Sequence, residues 1–133
     1  MECKAKILIV EDDEEIRSEL ECYLSGAGYE AASLSDFSDA AADIQKADPD
    51  LVLLDVNLPG VSGLSICEKL RRTSQVPVIF VTANNTSMDE LNCILRGGDD
   101  YVSKPYELPV LMARIEAVLR RTMGHAEESS VRQ

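Results

Sequence analysis

The sequence predicts an α/β domain whose parallel sheet is covered by helices on both faces. Three observations carry this. Short apolar runs and helical patterns alternate five times along 133 residues. The runs are continuous rather than alternating, as expected of strands buried on both faces. Several also end abruptly in a polar side chain: Ile7-Leu8-Ile9-Val10 in Glu11-Asp12-Asp13, Leu51-Val52-Leu53-Leu54 in Asp55, and Val78-Ile79-Phe80-Val81 in Thr82. If the strands are parallel, these ends share the carboxyl edge of the sheet, where open α/β folds place their ligands.

Taken in order, Lys6 to Val10 reads as the first strand. A helix follows from about Glu14 to Ser25, with Ile16, Leu20, Tyr23 and Leu24 on one stripe and Gly26 and Gly28 at its end. Glu30 to Leu34 is a weaker strand that belongs near an edge. The second helix opens at Ser35 or Asp36 and carries Phe37, Ala40, Ala41 and Ile44 at i, i+3, i+4, i+7. Asp48-Pro49-Asp50 breaks it before the central strand that ends at Asp55. Pro59 and Gly60 then fix a tight turn. A third helix from Leu64 to about Thr73 points Ile66, Cys67 and Leu70 inward. After the strand Val78 to Thr82 comes a polar helix, about Ser87 to Arg96, anchored by Met88, Leu91, Ile94 and Leu95. Tyr101 to Ser103 is a very short fifth strand. The last helix, about Leu108 to Arg121, has its stripe in Leu108, Leu111, Ile115, Val118 and Leu119.

Composition narrows the function. The chain is one domain of globular make-up, 45% hydrophobic and 28% charged, without Trp, so its core is aliphatic. The net charge of −11, from 24 acids against 13 bases, disfavours direct binding to a nucleic-acid backbone. Cys3, Cys22, Cys67 and Cys93 are scattered without a C-x-x-C pair, which disfavours a metal or disulfide role. No apolar run approaches the ~20 residues needed to span a bilayer, and no signal region precedes the first strand. The expectation is a soluble, cytoplasmic protein.

The polar strand ends carry the chemistry. An acid after a strand often serves only to cap the next helix, and Asp13 suits that use. Glu11 and Asp12 acquire more meaning beside Asp55, because the first and third strands should be neighbours. Three carboxylates in one crevice repel and should rise in pKa unless a cation sits among them. Mg²⁺ suits such a place, taking one or two carboxylates together with phosphate oxygens. Asp55 is then a candidate nucleophile toward phosphorus, with Thr82 and Lys104 able to hold phosphoryl oxygens. Singly, Thr82 is an ordinary strand-end residue and Lys104 an ordinary surface lysine; their value is in combination.

Ile7-Leu8-Ile9-Val10-Glu11-Asp12, Leu53-Leu54-Asp55-Val56-Asn57-Leu58-Pro59 with Gly63, Val81-Thr82-Ala83 and Tyr101-Val102-Ser103-Lys104-Pro105 closely resemble the receiver domains of two-component response regulators. The resemblance covers about residues 5 to 121. It implies a flavodoxin-like five-stranded sheet of order 2-1-3-4-5. It implies Asp55 as phosphoacceptor, with Mg²⁺ held by Glu11, Asp12, Asp55 and the Asn57 carbonyl. Thr82, Ala83 and Lys104 would bind the phosphoryl group, and Lys104–Pro105 would be a cis peptide. Thr82 and Tyr101 would switch together, altering a face made by the fourth helix, fifth strand and fifth helix. The implied donor is a sensor histidine kinase. The chain would be a regulatory switch rather than an enzyme, catalysing only its own phosphorylation and dephosphorylation.

Gly97 to Tyr101 and Ala113 to Arg121 resemble one subfamily, whose members carry a winged-helix DNA-binding domain after the receiver and dimerise through that face. This implies Asp100 and Arg114 as an ion pair across a homodimer. A second pair of the subfamily is missing, since Glu90 and Val110 stand at its positions. Residues 1–122 are expected to form the receiver, and 123–133 a tail or the start of a linker to a DNA-binding domain outside this chain. DNA would be reached only through that domain. Two other readings remain: a stand-alone receiver acting in a phosphorelay or by protein docking, and a Mg²⁺-dependent phosphatase using Asp55 transiently. Against the latter, such phosphatases place a second acid where this chain has Asn57.

Overall fold

Continuous apolar strands do form the centre of the molecule. A computed structural model describes residues 4–83 and 93–122, within which β1 (Lys6–Val10), β2 (Glu30–Leu34), β3 (Leu51–Asp55), β6 (Val78–Thr82) and β7 (Asp100–Ser103) build one sheet. Its order is β2-β1-β3-β6-β7, with every pairing parallel. This is the expected 2-1-3-4-5 once a small antiparallel hairpin, β4 (Asn57–Leu58) and β5 (Val61–Ser62), is left out of the count. The helices are α1 (Glu14–Gly26), α2 (Ala40–Ala47), α3 (Gly63–Leu70) and α4 (Leu108–Thr122), with residues 93–95 adding a helical turn before β7.

Alternation along each strand splits the core in two. Ile7, Ile9, Leu51, Leu53 and Ile79 pack with Leu20 and Leu24 of α1 and Leu111, Ile115 and Val118 of α4. Leu8, Val10, Val52, Leu54 and Phe80 pack with Ala40 and Ile44 of α2 and Ile66, Cys67 and Leu70 of α3. Every residue of β3 and β6 is buried, whereas β2 lies at the edge with no fully buried residue.

Several sequence expectations shift. The second helix starts at Ala40 rather than at Ser35 or Asp36. The Asp36 carboxylate instead accepts from the N–H and hydroxyl of Ser38, closing a local turn that competes with helix initiation. The third helix stops at Leu70, and 71–74 tighten into turns. Tyr23 is exposed on α1 despite its place in the stripe. Ile94 and Leu95, expected as anchors, are 47% and 71% exposed, while Cys93 is buried in their stead. Met88 and Leu91 lie outside the described residues, as do Cys3, Glu90 and 123–133. No helix among the described residues is long and apolar enough to cross a membrane.

Opposite the polar strand ends, one side chain ties the sheet to its loops. Arg71, just past α3, donates Nε to the Gly97 carbonyl at 3.0 Å and Nη1 to the Val76 carbonyl at 2.6 Å. Its Nη2 reaches Asp99 Oδ2 at 3.1 Å, and the same oxygen accepts the Val78 N–H at 2.9 Å. Gly97 has φ +101°, and a Cβ there would press on Arg71 Cγ at 2.8 Å. Three segments therefore depend on one guanidinium whose side chain is only 18% exposed. Arg71→Met is expected to lower the unfolding free energy by about 2–4 kcal/mol, since carbonyls and a carboxylate lose their donor together. Urea denaturation at neutral pH measures this, and a loss under half a kilocalorie would make the cluster a surface decoration.

Candidate functional site

Register brings the polar strand ends to one rim. Val10 pairs with Leu54, so Glu11 emerges level with Asp55; Asp55 pairs with Val81, one residue before Thr82. Thr82 pairs with Ser103, which puts Lys104 just beyond it. The four groups separated by up to 93 residues in sequence thus share the carboxyl edge of β1, β3, β6 and β7.

Glu11 and Asp55 are buried, each 4% exposed, whereas Asp12 is exposed. One carboxylate oxygen from each of the three can be chosen so that all lie within 4.8 Å of one another. Lys104 Nζ bridges two of them, 3.0 Å from Glu11 Oε1 and 3.2 Å from Asp55 Oδ2. The remaining oxygens take backbone donors: Asp13 N–H reaches Glu11 Oε2 at 3.1 Å and Asn57 N–H reaches Asp55 Oδ1 at 3.0 Å. Asp13 has the capping use expected of it, its Oδ1 accepting from the N–H groups of Glu15 and Ile16 at the start of α1.

Burial pushes the Glu11 carboxyl above the usual carboxylate range, aided by the charge of Asp55 and opposed by the Asp13 N–H and Lys104. The rise foreseen from crowding is therefore mainly desolvation, with repulsion secondary. For Lys104, burial alone would lower the pKa. The hydrogen bond to Glu11 and the charges of Asp55 and Glu11 outweigh it and hold the ammonium above its ordinary value. One ammonium against three carboxylates leaves the crevice negative. Hard oxygen donors converging in that way, with Asp12 open to solvent, fit a divalent cation of the Mg²⁺ type.

Thr82 is buried at the end of β6, and its carbonyl accepts from Lys104 N–H at 2.7 Å. Ala83, next along, is exposed. The Lys104–Pro105 peptide is cis. Tyr101 is half-buried on β7, opposite Phe80, and packs against the α2/α3 side of the core. Asp100 and Arg114 lie away from the crevice and pair with each other within the chain, Arg114 Nη1 standing 3.1 and 3.2 Å from the two Asp100 oxygens.

Two supporting residues were not singled out for these roles from the sequence. Gly63, at the start of α3, donates its N–H to the Val56 carbonyl at 2.8 Å. A Cβ at Gly63 would sit 2.1 Å from the Asp55 carbonyl oxygen, so α3 can approach the backbone of Asp55 only with glycine there. Arg17 donates Nη1 to the Glu11 carbonyl at 3.0 Å. Its position on the first turns of α1, six residues after Glu11, was the available signal.

Comparison with known proteins follows the same lines. The family model described as "Response regulator receiver domain" matches residues 7–116. The chain is 43% identical over 124 residues to the uncharacterized transcriptional regulatory protein YvcP of Bacillus subtilis, covering 93% of this chain and 52% of that protein. It is 47% identical over 115 residues to the sensory transduction protein RegX3 of Mycobacterium tuberculosis, covering 86% and 51%. The chain thus spans about half the length of these curated relatives. Among solved structures, the BeF3-activated N-terminal receiver domain of Klebsiella pneumoniae RstA superposes with a TM-score of 0.81 at 34% identity. That match covers 86% of this chain and 98% of the other.

Gly63→Ala is expected to cost about 2–3 kcal/mol of stability, because the clash is with backbone that cannot rotate away. Chemical denaturation reads the loss. Wild-type stability in Gly63→Ala would mean that α3 can retreat from β3 at no cost.

Proposed function

The chain belongs to the response regulator receiver domain family, and from that premise we propose that it is a phosphorylation switch with Asp55 as its phosphoacceptor. The observation that carries this assignment is the bond from Lys104 Nζ to Asp55 Oδ2 at 3.2 Å, which sets a fixed cation against a buried carboxylate at the sheet edge. Glu11, Asp12, Asp55 and the Asn57 carbonyl are the proposed ligands of Mg²⁺. When bound, the cation neutralises charge on phosphoryl oxygens and lowers the cost of bringing an anionic nucleophile to an anionic donor.

The rest of the step belongs to the protein. An oxygen of Asp55 attacks the phosphorus of a phosphohistidine, an O–P bond forms, and the P–N bond to the imidazole breaks. Lys104 then follows the charge from carboxylate to phosphoryl oxygen, with Thr82 and the backbone at Ala83 supplying further donors. Burial of Asp55 keeps bulk water from competing with these contacts. In this reading Thr82 and Tyr101 couple the phosphoryl group to the face formed by β7, α4 and the helix before β7.

A sensor histidine kinase is the proposed donor, and a cytoplasmic setting follows from that source of phosphoryl groups. Relatives about twice as long, one of them named a transcriptional regulatory protein, support a transcriptional output reached through a DNA-binding domain outside this chain, with 123–133 a tail or the start of a linker to it. The phosphatase and stand-alone readings are not favoured, because the chain matches about half of relatives named a transcriptional regulatory protein and a sensory transduction protein.

Intact mass after incubation with Mg²⁺ and acetyl phosphate tests the assignment. One added phosphoryl group is expected, absent in Asp55→Asn and absent without Mg²⁺. An adduct that persists in Asp55→Asn would move the acceptor elsewhere.

A homodimer through the β7–α4 face is the proposed active form, in which Arg114 would exchange its partner within the chain for Asp100 of a second copy. Analytical ultracentrifugation with Mg²⁺ and beryllofluoride should then show dimerisation that Arg114→Ala weakens roughly tenfold, about 1.4 kcal/mol. A monomer at all concentrations with beryllofluoride bound would remove the dimer from the proposal.

A further inference from the structure

The geometry points to Arg17 as a positioning residue for divalent-cation binding, an inference that rests on the phosphorylation-switch reading above. Asp12 is the exposed member of the acid trio and follows the end of β1, so no strand pairing holds it. Its place is set by the turn Glu11-Asp12-Asp13. The Arg17 side chain fastens the Glu11 end of that turn, and the first helical bond of α1 fastens the Asp13 end. The Arg17 backbone N–H donates to the Asp13 carbonyl at 2.9 Å, and its Nη1 donates to the Glu11 carbonyl at 3.0 Å. The Asp13 N–H bond to Glu11 Oε2 closes the turn from inside. Asp12 therefore stands at the apex of a loop whose first foot is tied by the guanidinium of half-buried Arg17 and whose second is tied by the backbone of α1.

A second observation places Arg17 on the functional side of α1. Arg17 and Asp12 line one cavity of about 770 Å³, walled by Phe37 of the β2–α2 segment and by Pro59, Gly60 and Val61 of the hairpin that follows Asp55. The guanidinium thus borders the same hollow as the exposed metal-binding candidate.

Charge and geometry make opposite demands here. A guanidinium near a cation site weakens cation binding by repulsion, so an arginine acting through charge alone would lower Mg²⁺ affinity. An arginine that holds ligands in place raises it, because Mg²⁺ tolerates little departure from octahedral geometry. Residues that orient metal ligands commonly contribute 10–100-fold in affinity. The sign of the effect on removal separates the two.

Isothermal titration of Mg²⁺ into the full chain, with parallel thermal melts in EDTA, provides the test. Arg17→Met is expected to bind Mg²⁺ roughly tenfold more weakly while melting within a few degrees of wild type. Arg17→Lys, which keeps the charge and one donor, should recover most of the affinity. Unchanged or tighter binding in Arg17→Met would overturn the inference and leave the phosphorylation switch standing. Wild type that fails to bind Mg²⁺ would overturn both. If Arg17→Met melts too low to titrate, Arg17→Gln is read in its place by the same two outcomes.

Discussion

Three carboxylates crowded at one sheet edge, two of them buried, are the constraint on which the rest of the molecule turns. Isolated charges of one sign in a low-dielectric crevice are costly, and the cost falls only when each finds a donor or a cation. Lys104 meets part of it by bridging Glu11 and Asp55, and backbone N–H groups of Asp13 and Asn57 meet more. The balance stays negative. A site built in this way is unfinished without further positive charge, and its donors fit a divalent cation.

Holding such a cluster requires a scaffold that does not yield. Strands β3 and β6 are buried along their whole length, and Asp55 ends a strand with no exposed neighbour before it. Gly63 lets α3 press against the backbone that carries Asp55, so that main chain is held by α3 as well as by the neighbouring strands. At the opposite edge Arg71 gathers the turn after α3, the start of β6 and the segment before β7. Hydrogen bonds of one guanidinium thus gather the Arg71 end, and like charges crowd the Asp55 end.

Much of the fold and of the site was legible in the residues. Continuous apolar strands, glycine at the end of α1 and the stripe of α4 reported their own periodicity, and polar strand ends marked the rim. Where reading failed, a local rule met a competing interaction. Asp36 looked like a helix start, but its carboxylate closes a turn with Ser38 and the helix begins at Ala40. Ile94 and Leu95 fitted a helical stripe, yet Cys93 is the side chain that turns inward. Periodicity gives the phase of a helix only when enough of its residues are apolar, and a polar helix leaves that phase open.

By itself the sequence determined the class of the fold, the order of its elements and the identity of the groups at the carboxyl edge, because periodicity and strand ends are local properties of the chain. It also fixed the likeness to receiver domains, through motifs whose spacing survives in one dimension. Only the tertiary structure decided which charges touch. That Lys104 bridges Glu11 to Asp55 and that burial outweighs repulsion in raising Glu11 both depend on distances between residues remote in sequence. Coulombic and desolvation energies vary over ångströms, a scale that strand register and helix packing set and residue order alone does not.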